Sequence, residues 1–309
     1  MYGRGLGRER SSLSGEAVMT WFFDVFLSPF VEFSFMRHAL AACLALALGC
    51  GPVGTLLVLR RMSLSGDALS HSVLPGAAVG FLLYGLSLPA MTIGGFVAGL
   101  GVVLLSGAVS RATPLKEDAS LAALYTIALA LGVILVSLKG SSVDLMHVLF
   151  GSILAVDDPS LLLMAGVASA TILVLAVIYR PLVAECFDPG FLRAARGGGS
   201  VVHLVFMSMV ALNLVGGFRS LGTLMSVGLL ILPATAARFW ASQVWSQSLA
   251  ATFIALASGY FGLLLSYYHE CPSGPAIVLT AGVCYLGSLC LGTRQGLLAQ
   301  RIPRKHLQH

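Results

Sequence analysis

Charge is what this sequence has least of. Only 10% of its 309 residues are Asp, Glu, Lys or Arg, against about a quarter in an ordinary soluble domain. No polar stretch is long enough to be a soluble domain of normal size. There is no GxxxxGK[ST] loop, so the chain cannot cradle ATP phosphates itself. Neither HExxH nor GxSxG occurs, which weakens an intramembrane protease or hydrolase reading. The six cysteines (Cys43, Cys50, Cys186, Cys271, Cys284, Cys290) show no CxxC spacing. Four lie in apolar runs where a thiol packs like a small hydrophobe, so neither a disulfide framework nor a zinc knuckle is read. Despite a net charge of +5, the cations are scattered in short loops and form no basic face, so nucleic acid is not an expected partner.

What the chain does have is apolar sequence: 57% of it is hydrophobic, with a mean hydropathy of +0.92. Runs of about 20 apolar residues, enough to cross a hydrocarbon core of roughly 30 Å, recur along nearly its whole length. The expectation is an all-α, polytopic membrane protein with about 8–9 transmembrane helices. The spans run approximately Ala39–Leu59, Asp67–Gly85, Pro89–Val109, Asp118–Leu138, Pro159–Tyr179, Val201–Gly216, Leu221–Phe239, Ser248–Tyr268 and Pro275–Gly292. Residues 1–18 combine Gly, Ser and Arg without apolar periodicity and read as a disordered tail, with Met19 as an alternative start. Residues 19–38 are aromatic-rich and interrupted, as in a segment lying along the membrane interface. Residues 39–293 form the transmembrane domain, and 294–309 a basic cytoplasmic tail.

Short loops rich in Lys and Arg stay on the cytoplasmic side. Putting Arg60 and Arg61 inside also puts Arg111, Lys116, Arg180, Arg193, Arg196, Arg238 and the carboxyl-terminal basic residues inside. The opposite loops then hold few cations, Lys139 and Arg219. The exception is the tail with Arg4, Arg8 and Arg10, which falls on that side unless the aromatic segment also crosses. Two interruptions stand out. Asp144–Asp158 is too short to span and reads as an outer re-entrant or surface helix. The loop 181–200 is the longest cytoplasmic one, with Asp188 as N-cap, Pro189 in a first turn and a GGG stop after Arg196. A short helix there would be a docking surface for another protein.

Asp67 and His71 are four residues apart, so a helix puts them on one face. They stand one to two turns inside the Arg60 boundary, where an ionisable group costs roughly 2.5–3.5 kcal/mol and usually faces a water-lined path or a partner. A carboxylate oxygen and an imidazole nitrogen suit Zn²⁺ or Mn²⁺. Pro75 cannot donate to the carbonyl of His71, leaving another oxygen at the same level. The alternative is that Asp67 caps the span and His71 hydrogen-bonds inside the bundle. Two ligands are too few for a closed site, and a two-fold dimer would supply a second pair. Elsewhere, His203 and Asn213 read as interhelical hydrogen-bonding groups. Asp144 with His147, and His269 with Glu270, could attract a cation, but solvated surface is the default reading for both. The glycines of Gly94–Val109 read as close helix contacts.

RRMSLSGDALSHSVLPG, Arg60 to Gly76, resembles the signature segment of the bacterial ABC-type manganese/zinc/iron permeases, the ABC-3 type membrane subunits of metal-importing ABC transporters. VDLMHVLFGSILAV, CFDPGFLRAARG, FRSLGTLMSVGLLILPATAARFW and PSGPAIVL resemble further segments of that family in the same order, over roughly Phe35 to Gly292. The resemblance implies a type II ABC importer-like permease fold and no bond chemistry in the chain itself. It implies that Asp67 and His71 line the path of the transported Zn²⁺ or Mn²⁺, with Fe²⁺ a further candidate. It also implies that Phe187, Asp188, Pro189, Phe191 and Arg193 meet a separate ABC ATPase subunit, although this chain has Gly190 where an acidic residue is frequent. The implied setting is a bacterial cytoplasmic membrane, with lipid around the spans, an extracytoplasmic metal-binding protein, a permease homodimer, no permanently bound cofactor, and ATP hydrolysed by the partner. Two other readings stay open. One is a related permease for metal chelates such as haem or siderophores, which needs no pore ligands. The other is an intramembrane metalloenzyme, which needs a third ligand and a general base.

Overall fold

The computed structural model describes residues 23–85, 87–138, 156–187, 199–294 and 296–297. Four expectations therefore lie outside the described residues: the tail 1–18, the helix expected from Asp144, the short helix expected around Phe191, and nearly all of the basic tail. Among the described residues every regular element is helical.

The chain enters through a π-helical turn, Phe23–Leu27, and a five-residue helix α1, Ser28–Glu32. This segment is fastened to the bundle. Phe30 is buried and stacks on Tyr260 with ring centroids 5.0 Å apart. The hydroxyls of Tyr260 and Tyr268 donate to the carbonyls of Phe26 and Val25 at 2.6 and 2.8 Å. Phe23, Leu27, Val31 and Phe33 remain exposed.

Helix α2, Ser34–Leu59, starts five residues earlier than apolar patterning places the first span. The two polar residues that delayed it are satisfied locally. Arg37 donates to the carbonyl of Val31 at 2.8 Å, while His38 meets the Ser34 carbonyl at 2.8 Å and Asp158 at 3.0 Å. Residues 34–38, assigned by patterning to the segment before the first span, are therefore the first turn of α2. α2 is the most enclosed helix, and α7, α8 and α9 pack around it.

Two short helices follow, α3, Ser63–Ser72, and α4, Leu74–Tyr84. Then come α5, Leu88–Ala112; α6, Glu117–Leu138; α7, Asp158–Phe187; α8, Gly199–Ala237; α9, Val244–His269; and α10, Ser273–Leu291. α10 packs on α8 and α9, and α3 to α6 form a second group that joins the first through α8. By length and apolarity, seven helices among the described residues qualify as spans: α2, α5, α6, α7, α9, α10 and the Val201–Phe218 part of α8. Gly222–Ala237 is a shorter apolar helix.

α8 is interrupted at Gly222, whose φ of 76° and ψ of 164° lie where only glycine rests without strain. The interruption reverses the chain. Nine helical residues would separate Gly217 from Ser226 by about 13 Å, yet a Cβ placed on Gly217 would lie 2.5 Å from the Ser226 hydroxyl. The sixth and seventh expected spans are thus the two arms of one hairpin, with Asn213 in the first arm. Its amide donates to Thr171 Oγ1 on α7 at 2.8 Å, which makes the expected interhelical bond.

Small residues set the spacing between α4 and α5. A Cβ on Gly76 would fall on the Gly94 carbonyl, and a Cβ on Gly94 on the Gly76 carbonyl, so the two backbones touch.

Candidate cation site

The second expected span, Asp67–Gly85, is two helices and not one. The break follows from Pro75, which has no N–H to give the carbonyl of His71. α3 therefore ends at Ser72, and α4 restarts with the proline in its first turn. The Val73 N–H turns back to the His71 carbonyl, so that oxygen is engaged and not left without a donor. α6 fits closely here, because a Cβ on Gly132 would meet the Pro75 nitrogen at 3.0 Å and the Leu74 Cβ at 3.1 Å.

Asp67 and His71 lie on α3 about 6 and 12 Å from its first residue, at 1.5 Å per residue. Ser65, Gly66, Ala68, Leu69, Ser70 and Ser72 are buried against neighbouring helices. Leu64, Asp67 and His71 fall on the one face left accessible, and the Asp67 side chain is 55% exposed and that of His71 28%. Helical spacing and burial together aim the carboxylate and the imidazole out of the packed bundle, in the same direction.

The His71 Nε2 is 3.8 Å from Asp67 Oδ1, beyond hydrogen-bond reach. That separation approximates the edge of about 3.4 Å in a tetrahedron with metal–ligand bonds of about 2.1 Å. The Nδ1 atom of His71 is buried without a hydrogen-bond partner. One ring face is covered by Tyr125 of α6, the centroids 6.1 Å apart and the planes 28° from parallel. Intrabundle hydrogen bonding therefore does not account for His71, and the exposed Asp67 carboxylate lies in the second turn, not at the start of the helix.

Among the described residues no third His, Cys, Asp or Glu joins the pair. Further donors would have to come from peptide oxygens, water or a second copy of the chain. Of the other sequence candidates, Phe187 is the last residue of α7, and Asp188, Pro189, Phe191 and Arg193 lie outside the described residues. His269 and Glu270 are exposed at the end of α9, and Glu270 takes a left-handed φ of 50°.

Sequence reasoning missed Tyr125 and a second polar cluster, at the end of the bundle where α2 finishes. There Arg60 pairs with Glu185, and His203 with Glu117. The signals were the carboxylates at the ends of otherwise apolar helices, which patterning treats as boundary residues.

The profile of the ABC 3 transport family matches residues 32–292, which include α2 to α10. The manganese import system permease protein ScaB of Streptococcus parasanguinis is 35% identical over 270 residues, 87% of this chain and 95% of that protein. The manganese transport system membrane protein MntC of Halalkalibacterium halodurans is 32% identical over 283 residues, 91% of this chain and 94% of that protein. A chain in the solved structure of PsaBC from Streptococcus pneumoniae in complex with Fab superimposes with a TM-score of 0.79 at 32% identity, covering 90% of this chain and 99% of that one.

Proposed function

The chain belongs to the ABC 3 transport family, whose members are non-enzymatic multi-pass membrane subunits, and on that premise we propose that it is the permease of a bacterial importer for a divalent metal ion. The observation that carries the proposal is the Asp67–His71 pair, directed out of the bundle, too far apart to bond each other, and with no other partner to explain the imidazole. Mn²⁺ is the first candidate cargo, supported by relatives named for manganese that align along nearly all of their length. One nitrogen and one oxygen per chain also suit Zn²⁺ and Fe²⁺.

Two copies around a two-fold axis bring two carboxylates and two imidazoles to one level of a shared path. The four groups replace part of the ion's hydration shell in transit, and with water filling the remaining positions the ion can leave as well as enter. The chain has no nucleotide-binding loop, so ATP is hydrolysed by a separate ATPase subunit. Its contact is the cytoplasmic loop 181–200, through Phe187, Asp188, Pro189, Phe191 and Arg193. An extracytoplasmic metal-binding protein delivers the ion at the opposite face.

The test is uptake of radiolabelled Mn²⁺ and Zn²⁺ into cells carrying the transporter as their only import route for these ions. Asp67→Ala and His71→Ala are each expected to abolish uptake while the complex still assembles in the membrane. Normal uptake by both variants would remove the assigned role.

A further inference from the structure

Glu185, near the end of α7, and His203, near the start of α8, flank the segment 188–198 and belong to one connected cluster. Arg60, just past the end of α2, donates from Nη2 to Glu185 Oε2 at 2.7 Å and from Nη1 to His203 Nδ1 at 3.1 Å. An Nδ1 that accepts leaves the ring proton on Nε2, and that nitrogen lies 2.6 Å from Glu117 Oε1 at the start of α6. Donors and acceptors alternate without conflict, from carboxylate to guanidinium to neutral imidazole to carboxylate. The Arg60 Cζ also sits 4.6 Å from the centre of the Phe206 ring. The Arg60 and Glu185 side chains are only 6% and 12% exposed. A pair that dry resists separation, because parting it strands a charge away from water.

The cluster also approaches the candidate cation site. Asp118, the neighbour of Glu117, accepts from the Ser65 hydroxyl at 3.4 Å, and Ser65 is two residues before Asp67 on α3. α3 packs on both α6 and α8. The ends of four helices, α2, α6, α7 and α8, are thus pinned together at one end of the bundle, and the pinned group includes both stems of the loop and the neighbours of the helix carrying Asp67.

Resting on the reading of that loop as the ATPase contact, we infer that Arg60, Glu185, His203 and Glu117 form a clamp that converts loop displacement into movement of α3. His203 is its central member, since among the described residues its ring joins the Arg60–Glu185 pair to Glu117 of α6. These are positioning residues, and none of them touches the ion.

The experiment uses the complete transporter, permease with ATPase subunit, in proteoliposomes, and reads Mn²⁺ imported per ATP hydrolysed. In His203→Leu the complex still hydrolyses ATP, and the ratio falls about tenfold, within the 5–150-fold range common for coupling between sites. Glu117→Leu, which cuts the same bridge from its other end, gives the same fall. His203→Gln recovers most of the ratio, because the amide oxygen accepts from Arg60 while the amide nitrogen donates to Glu117. An unchanged ratio in His203→Leu and Glu117→Leu overturns the clamp. Loss of assembly in both overturns it too, since the cluster is then structural only. The loop reading is tested separately: if Phe191→Ala and Arg193→Ala bind the ATPase subunit as tightly as the unmodified chain, that reading fails, whatever the His203 variants do.

Discussion

Replacing Gly76 by alanine adds one methyl group at a place with no room for it. The new Cβ would lie on the Gly94 carbonyl oxygen, 2.5 Å from the Gly94 carbonyl carbon and 2.7 Å from the Ala98 Cβ. Two of those three atoms are backbone, so no rotamer change relieves the overlap and α4 must move away from α5. Overpacking costs about 1–3 kcal/mol, and a rigid neighbour puts this case near 3 kcal/mol. That is a factor of roughly 100 in the folded ratio, at about 1.4 kcal/mol per decade. The midpoint of thermal unfolding should fall by roughly 5–10 °C for a chain of a few hundred residues. Gly101→Ala, on α5 itself, is the control: nothing lies within 4 Å of its would-be Cβ, and the exchange should gain roughly 0.5–1 kcal/mol of helix stability. Thermal unfolding of the purified chain in detergent, followed by intrinsic fluorescence, separates the two. Equal midpoints for the two variants would refute the backbone contact between α4 and α5.

Gly222→Ala should cost about 1–3 kcal/mol, because the hairpin inside α8 needs a φ of 76° with a ψ of 164°, and the same unfolding assay reads the loss. Arg60→Met should destabilise by about 3–5 kcal/mol by stranding the buried Glu185 carboxylate, whereas the double variant Arg60→Met/Glu185→Leu should lose far less. A double-mutant cycle by denaturant unfolding checks this, and additive losses would contradict a desolvated pair.

Most of the fold is legible in the sequence, because a bilayer makes the length of an apolar run nearly sufficient to specify a helix. Each of the nine expected spans meets a helical segment, including the two arms that turn at Gly222. The misplacements have local causes. α2 begins early because Arg37 and His38 find carbonyl partners within a turn or two. The second span breaks because Pro75 removes a donor, a signal that was visible at His71 although its effect on the helix was not. The Asp67–His71 pair was legible through its four-residue spacing, since both residues sit on one helix. Arg60 was not. A positive-inside reading makes it a solvated loop charge, but its partner Glu185 is 125 residues away and the bond between His203 and Glu117 spans 86. No local pattern reports contacts made across that distance.

The central claim is that the His71 imidazole and the Asp67 carboxylate ligate the transported ion. Electron spin-echo modulation of Mn²⁺ bound to the purified, assembled transporter tests it most directly. The account predicts a nitrogen coupling from directly bound imidazole that disappears in His71→Ala and weakened Mn²⁺ binding in Asp67→Asn. A nitrogen coupling that persists unchanged in His71→Ala, or Mn²⁺ bound with oxygen ligands only, would contradict it.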